Sequence, residues 1–241
     1  LFLFTILFLF TIPSYSAYKI DIYNAFLNND MSKWKVVIDK MQKQTTKTDK
    51  FRLELVNYQY GYIGYLMEED KDAEAEKYIE WAQQHLDVLE KNKAYASEVS
   101  AYQSALYGFK IGISGWKAPV LGPKSQSAAE KAIELDSTNP NGYIQYGNIQ
   151  YYMPSSFGGS KTEAINYYKK ALKIFEKNSF TTLTNWNYLN LLTIIGMAYE
   201  ALGDYKNAMI YYTKALKKEP KYILVRNNLI PELKKKIKEK K

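Results

Sequence analysis

The sequence contains no cysteine. That excludes a disulfide framework, a thiol nucleophile, cysteine-ligated zinc and a lipid-modified N-terminal cysteine. Histidine is nearly missing as well: His85 is the single one. A multi-histidine metal site is therefore excluded, and Ser-His-Asp hydrolysis would have to run through that one side chain. No stretch alternates β-branched and polar residues with a period of two, so no sheet is expected. Over most of its length the chain also lacks an excess of either charge. The net charge of +8 arises entirely from Lys214 onward, where eleven basic residues face three acidic ones; the first 213 residues hold 22 of each. With no basic face on the body, nucleic acid is not an expected partner. What the 241 residues do have is 46% apolar composition, enough to bury a core.

Leu1 to Ile12 is an almost unbroken apolar run, followed by Pro13-Ser14-Tyr15-Ser16-Ala17. Twelve helical residues span about 18 Å, well short of the roughly 30 Å hydrocarbon core of a bilayer. The length suits the apolar region of a secretory signal, with Ser14 and Ser16 as the small residues before a cleavage site. Residues 1–17 are thus expected to be a signal peptide, and the protein to be exported to a periplasm or secreted. At the other end, Leu229, Leu233 and Ile237 recur every four residues ahead of the final lysines. Residues 223–241 are expected to form a capping helix with a basic tail that reads as a solvated helix end, the alternative being contact with an anionic surface such as a membrane, for which the tail is the one place.

The clearest pattern lies in between. Leu192 to Pro220 places Gly196, Tyr199, Gly203-Asp204-Tyr205, Ala208, Tyr212, Ala215 and Pro220 at spacings that describe two helices packed face to face. Gly196 and Ala208 let the backbones approach, Tyr199 and Tyr212 fill the space beside them, and Gly203 ends the first helix. Asp204 caps the second, and Pro220 stops it. This stretch resembles the tetratricopeptide repeat, a pattern of 34 residues that asks for small and large side chains in that order.

Earlier segments repeat parts of it. Trios at the same spacing occur as Ala75, Ile79, Ala82; Ser125, Ala129, Ala132; and Ala164, Tyr168, Ala171. Upstream glycines Gly61, Gly108 and Gly147 take the part of Gly196. The extra length of the middle repeats is expected in their turns, with capping boxes at Ser127-Glu130 and Ser160-Glu163. Setting Asp30 on Asp204 places bulky Trp34 at a small-residue site, so the first unit is degenerate. The expectation is an all-α, right-handed α-solenoid of about five hairpins over residues 18–222, with 189–222 the best match.

Motifs with other meanings fail on inspection. Gly115 to Ser125 has the wrong glycine spacing for a phosphate loop, and Pro123 precedes its lysine. The acidic stretch Glu68 to Glu76 lacks the alternation of a calcium loop and suits a helix N-terminus. His85 reads as a surface or boundary residue. No catalytic residue, metal site or cofactor is expected, and the chain is not read as an enzyme.

The resemblance implies a concave groove lined by the first helix of each hairpin. Carried over at fixed offsets from the glycines, it nominates Tyr58, Tyr62 and Tyr65, then Tyr102 and Phe109, then Asn148, Tyr151 and Tyr152, and finally Asn190 and Met197. The set is rich in aromatic and amide groups and has no Lys or Arg, which disfavours a carboxylate clamp. Flat tyrosine rings suit an extended peptide. The expected role is a non-enzymatic scaffold or adaptor that binds a protein or peptide in the cell envelope; the alternative is a glycan-binding accessory protein.

Overall fold

The computed structural model describes residues 15–177 and 182–240, and among these every regular element is helical. The expected signal segment therefore lies outside the described residues except for its last three. Ten helices pair as antiparallel hairpins: α1 (Tyr15–Leu27) with α2 (Met31–Gln42), α3 (Asp49–Glu68) with α4 (Asp72–Leu89), α5 (Ala96–Ile113) with α6 (Ala118–Leu135), α7 (Pro140–Tyr152) with α8 (Lys161–Glu176), and α9 (Trp186–Ala201) with α10 (Tyr205–Lys218). Consecutive hairpins stack, so the fold is an all-α solenoid.

Three hairpins turn in the same way. Asn29, Asp70 and Gly203 hold positive φ values of 51°, 54° and 74°. The next residue in each case donates its N–H five residues back, from Asp30 to Ala25, Lys71 to Leu66 and Asp204 to Tyr199, at 2.8, 2.9 and 2.9 Å. This is the Schellman ending, and only in the fifth hairpin does glycine, which bears no Cβ penalty, supply the left-handed residue. Four residues past each turn's N-cap stand Trp34, Ala75 and Ala208.

Counting back seven residues from the left-handed position gives Ile22, Ile63 and Gly196. The small-site equivalent in the second hairpin is therefore Ile63, and the assignment of that role to Gly61 is corrected by two residues. Gly147 and Gly196 do face their own partner helix: an added Cβ would stand 2.5 Å from the Tyr168 ring and 2.4 Å from the Tyr212 ring. A Cβ on Gly61 would instead meet Trp186 and Trp34, at 2.7 and 2.8 Å.

The middle hairpins depart from the expected loops. The added residues of the third are mostly helix. α6 begins at Ala118 with Pro119 in its first turn, where a missing N–H costs no bond. Ser127 consequently lies inside α6 and caps nothing, whereas Ser160 does accept the Glu163 N–H at the start of α8. Because α6 starts early, Ser125 is opposite Ser104, with the two Oγ atoms 3.1 Å apart, and Gly108 faces open space.

The stack also meets itself. Trp186, at the start of α9, packs edge-on against Trp34 of α2 at 5.0 Å between ring centres and against Phe26 of α1 at 5.8 Å. Tyr222, beyond α10, lies 4.8 Å from Phe26, and the Tyr23 hydroxyl donates to Glu219 at 3.2 Å. Trp34 does not simply wedge α1 from α2: it is buried, and its indole N–H donates to the Tyr58 carbonyl of α3 at 3.0 Å. The fifth hairpin thus closes onto the first. After a π-helical segment, Leu224–Leu229, comes α11 (Ile230–Glu239). Leu233 is fully buried, and Leu229 and Ile237 pack partly beneath it on the core.

Candidate binding site

Each α-helix that opens a hairpin turns one face to the inside of the stack. In α3 this face is set by Ile63 rather than Gly61, so it carries Asn57, Tyr60, Gly64, Met67 and Glu68. The contacts agree. Asn57 Oδ1 accepts from the Tyr102 hydroxyl of α5 at 2.9 Å and from Asn187 Nδ2 of α9 at 2.7 Å. The Tyr60 ring lies 5.9 Å from Tyr102, 5.7 Å from Phe109 and 6.3 Å from Trp186. Its hydroxyl accepts from Asn148 of α7 at 3.3 Å.

The nominated residues fall into three groups. Tyr58, Tyr62 and Tyr102 are buried, 1%, 4% and 3% exposed, and act in packing. Tyr62 sits edge-on to Tyr78 of α4 at 4.9 Å, so it faces its own hairpin rather than the groove. Tyr65 is half-buried at the outer side of α3. It lines a polar cleft of about 520 Å3 with Asn29, Lys33, Glu69 and Ile223. Phe109, Asn148, Tyr151, Tyr152, Asn190 and Met197 remain accessible to varying degrees on the inner face.

The half of the groove near the helix N-termini is filled by the Asn57–Tyr102–Asn187 contacts and by Trp186. What stays open is a mouth near the turns. Tyr152 is 76% exposed, stands edge-on to Tyr151 at 4.9 Å, and is joined on the inner face by Met197, 39% exposed. A Cβ on Gly64 or Gly108 would touch nothing within 4 Å.

Charge at the mouth is acidic with lysine flanks. Partial burial lifts the Glu68 carboxyl above its ordinary range, and neighbouring Glu69 adds to that. Glu200 accepts the Tyr212 hydroxyl at 2.9 Å and pairs with Lys236 at 2.6 Å. Lys161 lies 4.8 Å from the centre of the Tyr151 ring. The Tyr152 hydroxyl is pushed up to about 12 by the protein around it and then by Tyr151, Tyr60 and Glu68. Burial likewise raises Tyr60, Tyr151 and Tyr168. These phenols are held protonated, so they act as hydrogen-bond donors and flat apolar surfaces rather than as bases.

Residues the offsets missed are Tyr60, Gly64 and Glu68; aligning Asn29, Asp70 and Gly203 as turn residues would have found them. His85 is not on the surface. It is 4% exposed, with Nδ1 accepting from Arg52 at 3.1 Å and Nε2 donating to Gln42 at 2.9 Å. Burial, then Arg52 and Lys47, lower its pKa to about 4, so it is a neutral core residue. Among the described residues no three metal-ligating side chains converge, and no helix is long and apolar enough to cross a membrane.

The tetratricopeptide repeat family model matches residues 156–178 and 189–222. No curated protein gives a significant match. Among solved structures, the fold is similar to the HusA haemophore from Porphyromonas gingivalis, with a TM-score of 0.60 at 14% identity over 76% of this chain and 90% of that one. Similarity extends at lower TM-scores to the MamA protein (0.36, 18% identity, 87% of this chain and 96% of that one) and to BtubC from P. vanneervenii (0.39, 13%, 80% and 73%). The matched stretch ends on the fifth hairpin, where Gly196, Gly203 and Tyr212 stand as the tetratricopeptide repeat requires.

Proposed function

We propose that the chain is a non-enzymatic binding module of the cell envelope whose recognition surface is the tyrosine mouth. Tetratricopeptide repeats generally mediate protein–protein interaction and are generally not enzymes. The carrying observation is Tyr152, exposed, edge-on to Tyr151 at 4.9 Å, and near enough to the Glu68 carboxylate for that charge, after burial, to raise its phenol. A flat aromatic floor beside carboxylates suits a peptide segment that presents a Lys or Arg side chain over the rings. Export is supported by the apolar run at residues 1–12, and the first buried side chain described in α1 is Tyr18.

The test is a peptide array followed by calorimetry on the best binder. Basic–aromatic peptides are expected to bind, with Tyr152→Ala weakening them by about tenfold or more at an unchanged melting temperature. Binding to a glycan array in place of peptides would overturn the peptide reading. A second reading draws on the fold shared with a haemophore: the mouth, with Tyr151, Tyr152 and Met197, holds a planar tetrapyrrole. Tyrosine and methionine are both known axial ligands to haem iron. Titration with haemin decides it, since a tyrosine- or methionine-dependent Soret shift is expected if this reading holds and none otherwise.

A further inference from the structure

In a solenoid the turns within successive hairpins fall along one edge, and insertions into them build up that edge. Here the edge is divided. The turns of the first two hairpins are polar or acidic, Asn28-Asn29-Asp30 and Glu69-Asp70-Lys71-Asp72. Those of the last three each expose at least one large apolar side chain. Trp116 is 80% exposed and Val120 62% at the third turn, Phe157 77% at the fourth, and Leu202 47% at the fifth. Trp116 and Phe157 thus do not cover one another, although the sequence leaves room for that arrangement.

Next to these rings along the chain stand lysines, with Glu163 two residues after Lys161 and with Asp87 and Glu90 sharing a cleft with Lys124. Between Glu98 and Glu130 the charged residues are Lys110, Lys117 and Lys124 alone, and between Asp136 and Glu163 there is only Lys161. The end of the basic helix α11 reaches the same edge: Lys240 Nζ lies 3.3 Å from the place a Cβ would take on Gly203, and over the Tyr205 ring at 4.5 Å. Single exposed apolar residues are ordinary, but three consecutive turns that carry them, two of them with lysines next to the rings in sequence, form a patch. Amphipathic rings held at the height of lysine ammonium groups match the headgroup layer of an anionic bilayer, where aromatic side chains insert and lysines meet lipid phosphate.

We propose that the turns of the third, fourth and fifth hairpins form a peripheral docking edge for an anionic lipid surface. It inserts Trp116, Val120 and Phe157 while Lys117, Lys124 and Lys161 meet the headgroups. This places the tyrosine mouth beside the membrane, but docking does not depend on what the mouth holds.

Flotation of the full chain with phosphatidylcholine vesicles, with and without phosphatidylglycerol, tests it. The N-terminal apolar run is common to all variants, so differences between them read the edge. Wild type is expected to bind the anionic vesicles more tightly than the neutral ones, with the preference falling at high salt. Trp116→Ala with Phe157→Ala should lower partitioning by about tenfold or more. Lys117→Glu, Lys124→Glu and Lys161→Glu together should remove the anionic preference, at about fivefold per lysine lost. Brominated lipid should quench the bound wild type more than bound Trp116→Ala, because Trp34 and Trp186 are buried and Trp81 is half-buried beneath Lys77. Three results would overturn the proposal: equal partitioning of the double variant and wild type, equal quenching of bound wild type and bound Trp116→Ala, or a dimer that Trp116→Ala dissolves.

Discussion

Replacing Gly196 with alanine sets two ordinary effects against each other. In a helix interior alanine is favoured over glycine by about 1 kcal/mol. At Gly196, however, the new methyl would stand 2.4 Å from Tyr212 Cε1 and 2.6 Å from Cδ1, where carbon atoms normally approach to about 3.5–4.0 Å. The ring has to retreat by roughly 1 Å, and it has nowhere to go: Tyr212 is fully buried, and its hydroxyl is tied to Glu200 at 2.9 Å. Overpacking of this kind costs about 1–3 kcal/mol. The net expectation is a loss of about 1 kcal/mol or more, a fall of roughly 2–4 °C in Tm per kcal/mol for a chain of this size. Gly64→Ala is the matched control, since its methyl would touch nothing within 4 Å. Only the propensity gain remains there, about 0.5–1 kcal/mol of added stability. Thermal melts and denaturant midpoints of the two variants should therefore move in opposite directions. A Gly196→Ala protein as stable as wild type would refute the close approach of α9 and α10 on which the fifth hairpin rests.

Other perturbations follow from single contacts. His85 has a folded-state pKa of about 4 against an ordinary 6.5, so below pH 6.5 the unfolded chain takes up a proton that the folded one refuses. Its contribution is intact above pH 6.5 and lost as pH falls to 4, on the order of 3 kcal/mol. Guanidinium midpoints of wild type and His85→Gln should diverge across that window, and parallel pH profiles would show that His85 does not supply the term. Asp70→Gly removes a side chain held at φ 54° and should raise stability by about 0.5–1 kcal/mol in a thermal melt, whereas Ala at Gly203 should lower it by a similar amount. Trp186→Ala empties the contact with Trp34, Phe26 and Gly61. A loss of about 3–5 kcal/mol is expected from chemical denaturation.

The fifth hairpin was legible because each of its devices has a distinctive residue: Gly203 in the left-handed turn, Asp204 as cap, Gly196 under Tyr212. The second hairpin runs the same backbone with Asp70 and Ile63, and neither announces its role. Gly61, two residues away, is small for another reason, to admit Trp186 and Trp34. That coincidence shifted the expected inner face onto Tyr58 and Tyr62 and hid Tyr60 and Glu68. The early start of α6 was masked by Pro119 and Gly122, which read as loop residues although a proline is harmless in a first turn. His85 could not be placed from its own helix, because Gln42 and Arg52 arrive from α2 and α3.

Closure is the feature no repeat pattern encodes. In an open array each hairpin touches only its neighbours, and stability is close to a sum of neighbour terms. Here Trp186, Tyr222 and the Tyr23–Glu219 hydrogen bond join the fifth hairpin to the first across the whole stack. Those contacts fill the groove where the helices begin, which is why an aromatic-rich inner face yields a short mouth instead of a long channel. An extended peptide lying along every hairpin would have to displace Trp186, which is 5% exposed. A ligand that enters only at Tyr151, Tyr152 and Met197 need not, so the closed stack favours one anchoring side chain or one flat group over a long bound strand.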